Sequence, residues 1–275
     1  MTRPTATAGS EHPPVVLCAG GHDPCGGAGL LADAEAVRAA GGHALGLVTC
    51  LTNQDSRGLR GLYPQAPARF EEQWRTLTAD SAVGAIKIGL IGTASLAHTV
   101  ARLIGERADR PIVLDPVLAT GAGDPVADRA LIETLQRELI GATTLITPNW
   151  PEARTLADAA TPDGCASRLL ASGCRWVLIT GTHADGPEVI NRLYGCDGHR
   201  QSWAWPRLPG EYHGSGCTLA SAIAARLAAG QELVDAVAEA QAYTWQTLAR
   251  ARRTGRGQLT PNRLFALDPP RAEAI

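Results

Sequence analysis

A glycine-rich turn late in the sequence combines residue types that could bind an anion and move a proton. It spans residues 213–218, with the sequence His-Gly-Ser-Gly-Cys-Thr, and a run of small residues follows it directly. That run favours a helix, so Gly214, Ser215 and Gly216 are predicted to lie at a helix N-terminus. Free N–H groups and the positive end of the helix dipole meet there and attract phosphate. Cys217 adds a thiol whose pKa such a position lowers, which makes it a candidate base; a small buried cysteine is the alternative interpretation.

A second loop, residues 20–29, is also rich in glycine. Clustered glycines let the backbone approach a ligand closely, and Gly21 is one of them. Residues 27–32 match the relaxed dinucleotide-binding pattern G-x-G-x-x-A, with Asp55 after the next predicted strand. However, these glycines come late in a long loop that contains Pro24, whereas a dinucleotide-binding turn is tight. The chain has no G-x-x-x-x-G-K-[ST] string, which excludes a P-loop enzyme.

Acidic and amide side chains follow two other predicted strands. Asp115 comes directly after one of them, where a carboxylate can hold Mg²⁺ beside phosphates; a turn-capping aspartate is the alternative. Asp124, further along the same loop, has the same two interpretations. The next strand is followed by Asn149 and Glu152, which would reach the same region. Glu152 could equally be an acid in the first turn of a helix, where the helix dipole favours it.

The elements that must position these loops are predicted from hydrophobic periodicity. Buried strands are predicted at residues 14–19, 44–51, 85–90, 112–114, 144–147 and 176–180. Helices are predicted at residues 27–40, 68–79, 96–107, 128–139, 165–171, 217–228 and 233–250. Repeated strand–helix–strand units indicate an α/β fold whose mostly parallel sheet is covered by helices on both faces. Ligands bind such folds at the carboxyl ends of the strands, which is where the three loops lie.

Length and composition favour one domain over residues 13–267, with flexible tails at residues 1–12 and 268–275. The net charge of -2 and the scattered basic residues give no attraction to nucleic acid or to an anionic membrane, so neither partner is predicted. Seven cysteines without a C-x-x-C pair argue against a disulfide framework and against a zinc site. A polar N-terminus without an apolar segment, together with the lack of an apolar run of about 20 residues, predicts a cytoplasmic protein.

Six segments of the chain together resemble the ribokinase superfamily and, within it, the hydroxymethylpyrimidine/phosphomethylpyrimidine kinases of thiamine biosynthesis. They are residues 23–33, 54–58, 87–89, 113–117, 147–153 and 213–219, in the order of the family and over nearly the whole chain. The resemblance implies a ribokinase-like three-layer α/β/α fold, usually in a homodimer. Sugar kinases of the superfamily have a catalytic Gly-Ala-Gly-Asp string. We interpret the copy that ends at Asp124 as a coincidence, because Pro125 follows it and it lies in mid-chain.

The resemblance also implies an activity and a set of site residues. The γ-phosphoryl group of ATP, with Mg²⁺, would be transferred to 4-amino-5-hydroxymethyl-2-methylpyrimidine, and the monophosphate would then be converted to the diphosphate at the same site. Carried over by motif, the implied residues are Gly21, Asp33 and Gln54 for the pyrimidine, Asp115 and Glu152 for Mg²⁺, Asn149, Thr180, Thr182 and His183 for the nucleotide, and Gly214, Ser215, Gly216 and Cys217 for the anion hole and the base.

The chain departs from the family pattern after the predicted strand 176–180. The family usually has Lys-Gly-Gly-His there, with the lysine on ATP phosphates, whereas this chain has Thr-Gly-Thr-His from Thr180 to His183. An arginine or His183 is expected to replace the missing charge. Lys87 matches the family's own lysine, so it need not be the substitute. The alternatives are a pyridoxal kinase, a dinucleotide-binding oxidoreductase and a non-catalytic pyrimidine-binding protein.

Overall fold

The structure, a computed structural model, describes residues 12–182 and 186–268, and this part of the chain folds around a nine-stranded β-sheet. The strands are β1 Val15–His22, β2 His43–Asp55, β3 Gly58–Pro64, β4 Ala85–Ile88, β5 Ile112–Leu114, β6 Leu145–Ile146, β7 Trp176–Ile179, β8 Glu188–Gly195 and β9 Arg200–Pro206. They lie in the order β3-β2-β1-β4-β5-β6-β7-β8-β9. The strands from β2 to β7 in this order run parallel, and β3, β8 and β9 are antiparallel additions at the two edges.

Helices cover both faces of the sheet. They are α1 Gly29–Ala39, α2 Pro67–Asp80, α3 Ala94–Gly105, α4 Arg129–Thr134, α5 Trp150–Ala157, α6 Pro162–Ala171, α7 Ser215–Ala228 and α8 Leu233–Ala249. A π-helical segment, Leu135–Leu139, continues α4. The predicted α/β fold with a mostly parallel sheet is confirmed, and every predicted strand and helix is present with ends that differ by a few residues. The strands β3, β8 and β9 and the helix α5 were not predicted. Apart from His12 and Asp268, the predicted tails lie outside the described residues.

The core is divided by the sheet into two layers, because successive side chains of a strand point to opposite faces. Leu17 packs into the layer formed with α2 to α6, whereas its neighbour Val16 packs into the layer formed with α1, α7 and α8. Helix α7 is rich in alanine on its buried side and lies close against β1, β4 and β5. Its N-terminus therefore reaches the carboxyl ends of these central strands. In the described part of the chain, the structure has no helix with the length and hydropathy of a bilayer span.

Candidate active site

A cavity of about 980 Å³ opens at the carboxyl ends of the parallel strands. It is walled by the loops that follow β1, β5, β6 and β7, by the start of α7, and by β8, β9 and α8. The predicted site residues that line it are Gly21, Gln54, Asp115, Asn149, Glu152, Thr180, Thr182, Gly214, Ser215, Gly216 and Cys217. His183 lies outside the described residues. Segments far apart in the sequence thus meet in one cavity.

Asp33 does not line this cavity, so its predicted contact with a pyrimidine does not fit the structure. The side chain is 0% exposed. Its Oδ1 accepts hydrogen bonds from Lys87 Nζ at 2.7 Å and from Ser221 Oγ at 2.8 Å. Asp33 was placed in the site because it lies in a matching segment, but the ion pair holds the carboxylate inside the protein, beneath the cavity floor.

Lys87, the single lysine of the chain, is the ion-pair partner of Asp33. This pairing was not predicted from the sequence. The side chain of Lys87 is buried, and the residue is part of the cavity lining. Burial alone would lower the pKa of Lys87, but the charge of Asp33, with a contribution from Asp115, raises it above its usual value. Lys87 is therefore a fixed positive charge under the site.

The predicted helix start at residues 214–217 is confirmed, and it is interlocked with the loop of residues 20–29. Helix α7 begins at Ser215, and Gly214 caps it with a left-handed φ of 88°. A Cβ at Gly214 would collide with the carbonyl oxygen of Gly27, and a Cβ at Gly27 would collide with the ring of His213. Because neither glycine tolerates a side chain here, the two glycine-rich loops form one unit with backbone on both sides of the site.

A hydrogen-bonded pair of side chains, which was not predicted from the sequence, clamps the same two loops. Asp23 Oδ2 lies 2.9 Å from His213 Nε2 and 2.8 Å from the backbone N–H of Ala28, and Oδ1 accepts from the N–H of Cys25 at 2.9 Å. Burial alone would raise the pKa of Asp23, but these hydrogen bonds, led by that from His213, lower it to about 2. Asp23 is thus an ionised group that clamps the two loops together. The position of His213 at the start of the predicted glycine turn was the one sequence signal for this clamp.

Asp23→Asn should make the clamp's pH dependence visible. The folded pKa of about 2 lies below the ordinary value of 3.8, so the clamp stabilises the fold above about pH 4 and its contribution is lost as the pH falls towards 2. The shift corresponds to about 2 kcal/mol. Urea unfolding should therefore show a loss of about this size at pH 7 and a loss of roughly half that at pH 3. Asp109→Asn, at an exposed carboxylate, is the control; equal losses at both pH values in Asp23→Asn would contradict the clamp.

Asp115 is a buried carboxylate with an unsatisfied oxygen. It is 5% exposed, and within the residues that the structure describes its Oδ2 has no hydrogen-bond partner. Burial and the charge of Asp33 raise the pKa of Asp115, although Lys87 opposes this effect. An unpaired buried carboxylate is unfavourable, so this position suits a bound cation.

Glu152 and Asn149 form a helix cap as well as part of the cavity wall. Glu152 Oε2 accepts from the backbone N–H of Asn149 at 2.9 Å, and Asn149 Oδ1 accepts from that of Glu152 at 3.0 Å. Glu152 therefore lies in the first turn of α5, as one of its two interpretations predicted. Burial and the charge of Asp115 nevertheless raise the pKa of Glu152 to about 8. The carboxyl groups of Asp115 and Glu152 have too little positive charge around them to balance two negative charges. They are therefore suited to a divalent cation, which prefers oxygen ligands.

The thiol of Cys217 faces the cavity, but its predicted lowered pKa is wrong. Burial raises the pKa to about 12, and the charges of Asp115 and Asp33 add to the effect. Lys87 and the N–H of Gly29 lower it but do not compensate. A helix N-terminus lowers the pKa of a thiol, but at this position the removal of water and the two carboxylates outweigh that effect.

Asp124 has a structural role, in agreement with the interpretation that the Gly-Ala-Gly-Asp string is not catalytic here. Its Oδ2 accepts from the backbone N–H of Leu59 at 2.9 Å and from Thr120 Oγ1 at 3.2 Å. These bonds tie the loop after β5 to the strand β3. Asp124 does not line the cavity.

The far end of the cavity holds a cation and an aromatic wall. Arg207 lines it and donates to the carbonyl oxygens of Gly186 at 2.7 Å and Thr182 at 2.9 Å. Trp205 and Trp245 stack with ring centroids 6.5 Å apart on the same wall. An arginine was expected near the phosphates, but no particular one was predicted. Arg207 lies directly after β9, a strand that was itself not predicted.

Comparisons with known proteins agree on one family. The chain matches the phosphomethylpyrimidine kinase family model over residues 23–262. A hydroxymethylpyrimidine/phosphomethylpyrimidine kinase of Streptomyces coelicolor is 37% identical, over 88% of this chain and 90% of the relative. The Escherichia coli protein of the same name is 32% identical, over 86% of this chain and 91% of the relative.

Solved structures agree on the fold. An ADP complex of Bacillus subtilis pyridoxal kinase superposes with a TM-score of 0.85 at 25% identity, over 94% of this chain and 100% of that one. A phosphomethylpyrimidine kinase from Clostridium difficile superposes with a TM-score of 0.75 at 27% identity, over 86% and 99%. The ribokinase-like architecture expected from the sequence is therefore confirmed.

Proposed function

The chain belongs to the phosphomethylpyrimidine kinase family, and we propose that it transfers the γ-phosphoryl group of ATP to the hydroxymethyl group of 4-amino-5-hydroxymethyl-2-methylpyrimidine. The same site then converts the monophosphate to the diphosphate, in thiamine biosynthesis. The observation that carries this proposal is that Cys217 and the start of α7 lie beside the carboxyl groups of Asp115 and Glu152 in one cavity. An anion site next to a cation site is what phosphoryl transfer requires.

The N-terminus of α7 is the anion hole in this proposal. The first backbone N–H groups of a helix have no intrahelical partner, so those of Ser215, Gly216 and Cys217 can bind oxygens of the transferred phosphoryl group. They are held in place before the substrate arrives, and such donors stabilise developing charge without reorganising. Asp115 and Glu152 would hold Mg²⁺, which offsets the charge of the phosphates when bound.

Cys217 is the proposed acceptor of the hydroxymethyl proton. The alcohol oxygen bonds to phosphorus, its proton passes to the thiolate Sγ, and ADP leaves with the electrons of the broken P–O bond. Asp115 is one of the charges that raise the pKa of Cys217, so neutralising Asp115 would lower that pKa and increase the thiolate fraction.

Gln54 is the residue proposed to recognise the pyrimidine, because Asp33 is held in the ion pair with Lys87. Its Nε2 donates to Thr52 Oγ1 at 2.6 Å, and Thr52 Oγ1 donates to the carbonyl oxygen of His22 at 2.9 Å. This chain of bonds fixes the amide, so that Oε1 can accept a hydrogen bond from the exocyclic amino group. Gly21 would form the adjacent floor of the pyrimidine pocket.

The nucleotide would lie at the other end of the cavity. The stacked Trp205 and Trp245 offer an apolar wall to the adenine ring, as is usual for ligand pockets with aromatic linings. Thr180 and Thr182 would donate to phosphate oxygens together with Asn149. Arg207 is the proposed replacement for the positive charge that the Thr180 position lacks.

ADP release measured with the pyrimidine alcohol, its monophosphate and pyridoxal, each offered separately, tests the proposed function. We expect turnover with the alcohol and the monophosphate. Binding of the pyrimidine without consumption of ATP would contradict the proposal and favour a non-catalytic binding protein. Tight NADH binding without release of ADP would favour the dinucleotide-binding alternative.

Pyridoxal phosphorylation is the second candidate activity. It is favoured by the superposition on Bacillus subtilis pyridoxal kinase. Turnover with pyridoxal at a kcat/KM equal to or above that for the pyrimidine alcohol would replace the first proposal with this one.

A homodimer in the cytoplasm completes the proposal. Leu51 and Tyr63 are paired across β2 and β3 and are 46% and 58% exposed, which supports association through this hairpin. All seven cysteines are free, as expected in a reducing compartment. A monomeric mass in light scattering, or fractionation away from the cytoplasm, would contradict these two statements.

A further inference from the structure

Arg263 is a charged residue buried beneath both glycine-rich loops. It follows α8 in the sequence and is only 1% exposed. Buried arginines are rare unless their donors are satisfied. The structure satisfies them with bonds from Nε to Thr218 Oγ1 at 2.8 Å, from Nη1 to the carbonyl oxygen of Gly26 at 3.2 Å and to Glu35 Oε2 at 3.1 Å, and from Nη2 to the carbonyl oxygen of Gly27.

These bonds connect Arg263 to the start of α7. Thr218, which accepts from Arg263, donates its own hydroxyl to the carbonyl oxygen of Gly214 at 2.8 Å. Gly214 is the residue that caps α7 with a left-handed φ. One planar guanidinium group thus fixes the cap of α7 and the loop of residues 20–29 relative to each other, and a guanidinium holds several acceptors in a rigid fork.

The carbonyl groups that Arg263 holds are those that would otherwise interfere with anion binding. The carbonyl oxygen of Gly27 lies directly against Gly214, and a carbonyl dipole turned towards the anion hole would repel a phosphoryl group. Arg263 draws the oxygens of Gly26 and Gly27 to itself. The loop then presents the N–H of Gly29 to the site, where it hydrogen-bonds Cys217.

We propose that Arg263 is a positioning residue for phosphoryl transfer: it aligns the N–H donors of the two loops and the thiol of Cys217 without touching the substrate. This inference rests on the proposed kinase function. Glu35 contributes by fixing the orientation of the guanidinium through Nη1. Lysine cannot replace the group, because one ammonium cannot reach Thr218 Oγ1, both carbonyl oxygens and Glu35 together.

Kinetics of Arg263→Lys and Arg263→Met test the inference, with Arg253→Met as the control at an exposed arginine. We expect kcat to fall roughly 20- to 100-fold in Arg263→Met, as a misplaced catalytic geometry implies. KM for the pyrimidine should stay within about twofold, because Gln54 is untouched. Arg263→Lys should recover little of the loss, and it is the variant to measure if Arg263→Met does not fold. The control should behave as the wild type.

Two further readouts separate positioning from stability and from the function itself. Binding of MgADP with aluminium fluoride, which mimics the transferred phosphoryl group, should weaken by the same factor as kcat, whereas ADP alone should bind within about threefold of wild type. Alkylation of Cys217 by iodoacetamide, followed by mass spectrometry, should change in rate and needs no turnover. A variant that keeps the wild-type kcat and alkylation rate would overturn the inference, whatever its melting temperature. A wild-type protein without turnover would instead overturn the proposed function.

Discussion

Cys217→Ala is expected to lower kcat by about 10²- to 10⁴-fold, the range for removal of a group that transfers a proton in the transition state. KM for the pyrimidine alcohol should remain within about twofold, because Gln54 and Gly21 form its pocket and Cys217 acts on the reacting hydroxyl. ADP release over a range of substrate concentrations separates the two parameters. Unchanged turnover would remove Cys217 from the mechanism.

The pH dependence of kcat/KM gives a second, independent test of the role of Cys217. Burial raises the pKa of Cys217 to about 12, so the thiolate fraction increases with pH throughout the range in which the enzyme can be assayed. Above about pH 8, where Glu152 is mostly ionised, wild-type kcat/KM should still rise, and Cys217→Ala should lose this part of the dependence. Cys196→Ala, at an exposed cysteine outside the cavity, is the control and should keep the wild-type profile.

Asp115→Asn is expected to lower kcat by about 10³-fold and to raise the Mg²⁺ concentration needed for half-maximal activity. The physical reason is the unsatisfied Oδ2 of Asp115 in a nearly waterless position, where a metal ligand contributes several kcal/mol to charge stabilisation. Asparagine retains the shape and removes the charge. Activity measured against Mg²⁺ concentration, and direct Mn²⁺ binding by electron paramagnetic resonance, report the change.

The control for Asp115→Asn is Asp128→Asn, since asparagine preserves the helix cap that Asp128 forms with the N–H of Leu131 outside the cavity. It should leave kcat and the Mg²⁺ requirement unchanged. Because the charge of Asp115 helps to raise the pKa of Glu152, that pKa should also fall in Asp115→Asn. A wild-type Mg²⁺ requirement in Asp115→Asn would exclude this carboxyl group as a metal ligand.

The parallel centre of the sheet could be predicted because its strands are buried on both faces. The strands β4, β5 and β6 are buried at every position, which favours nearly continuous apolar runs, broken here only by Lys87 in its ion pair with Asp33. The edge strand β9 alternates between exposed and half-buried residues and contains Arg200, Gln201 and Ser202, so it has no such run. Helix α5 is short, and its start is set by the cap of Asn149 and Glu152 rather than by a long amphipathic pattern.

The parts of the site that a short run of neighbouring residues shapes could be predicted from the sequence. The parts that depend on charged residues far apart in the sequence could not. The glycine turn before α7 was found because a helix start needs only neighbouring residues. Asp33 and Lys87 lie 54 residues apart, and Asp23 and His213 lie 190 apart, so no local pattern pairs them. The direction of the pKa shift of Cys217 was missed for the same reason, since burial is set by the tertiary structure.

The burial of Lys87 has a consequence for handling the protein. Amine-reactive labels modify lysines and the α-amino group, and the chain has one lysine, whose ammonium is enclosed beneath the cavity in its ion pair with Asp33. On the folded protein such a reagent is kept from Lys87, because the ammonium group is buried in this ion pair. Labelling of Lys87 then reports the opening of the sheet around β4.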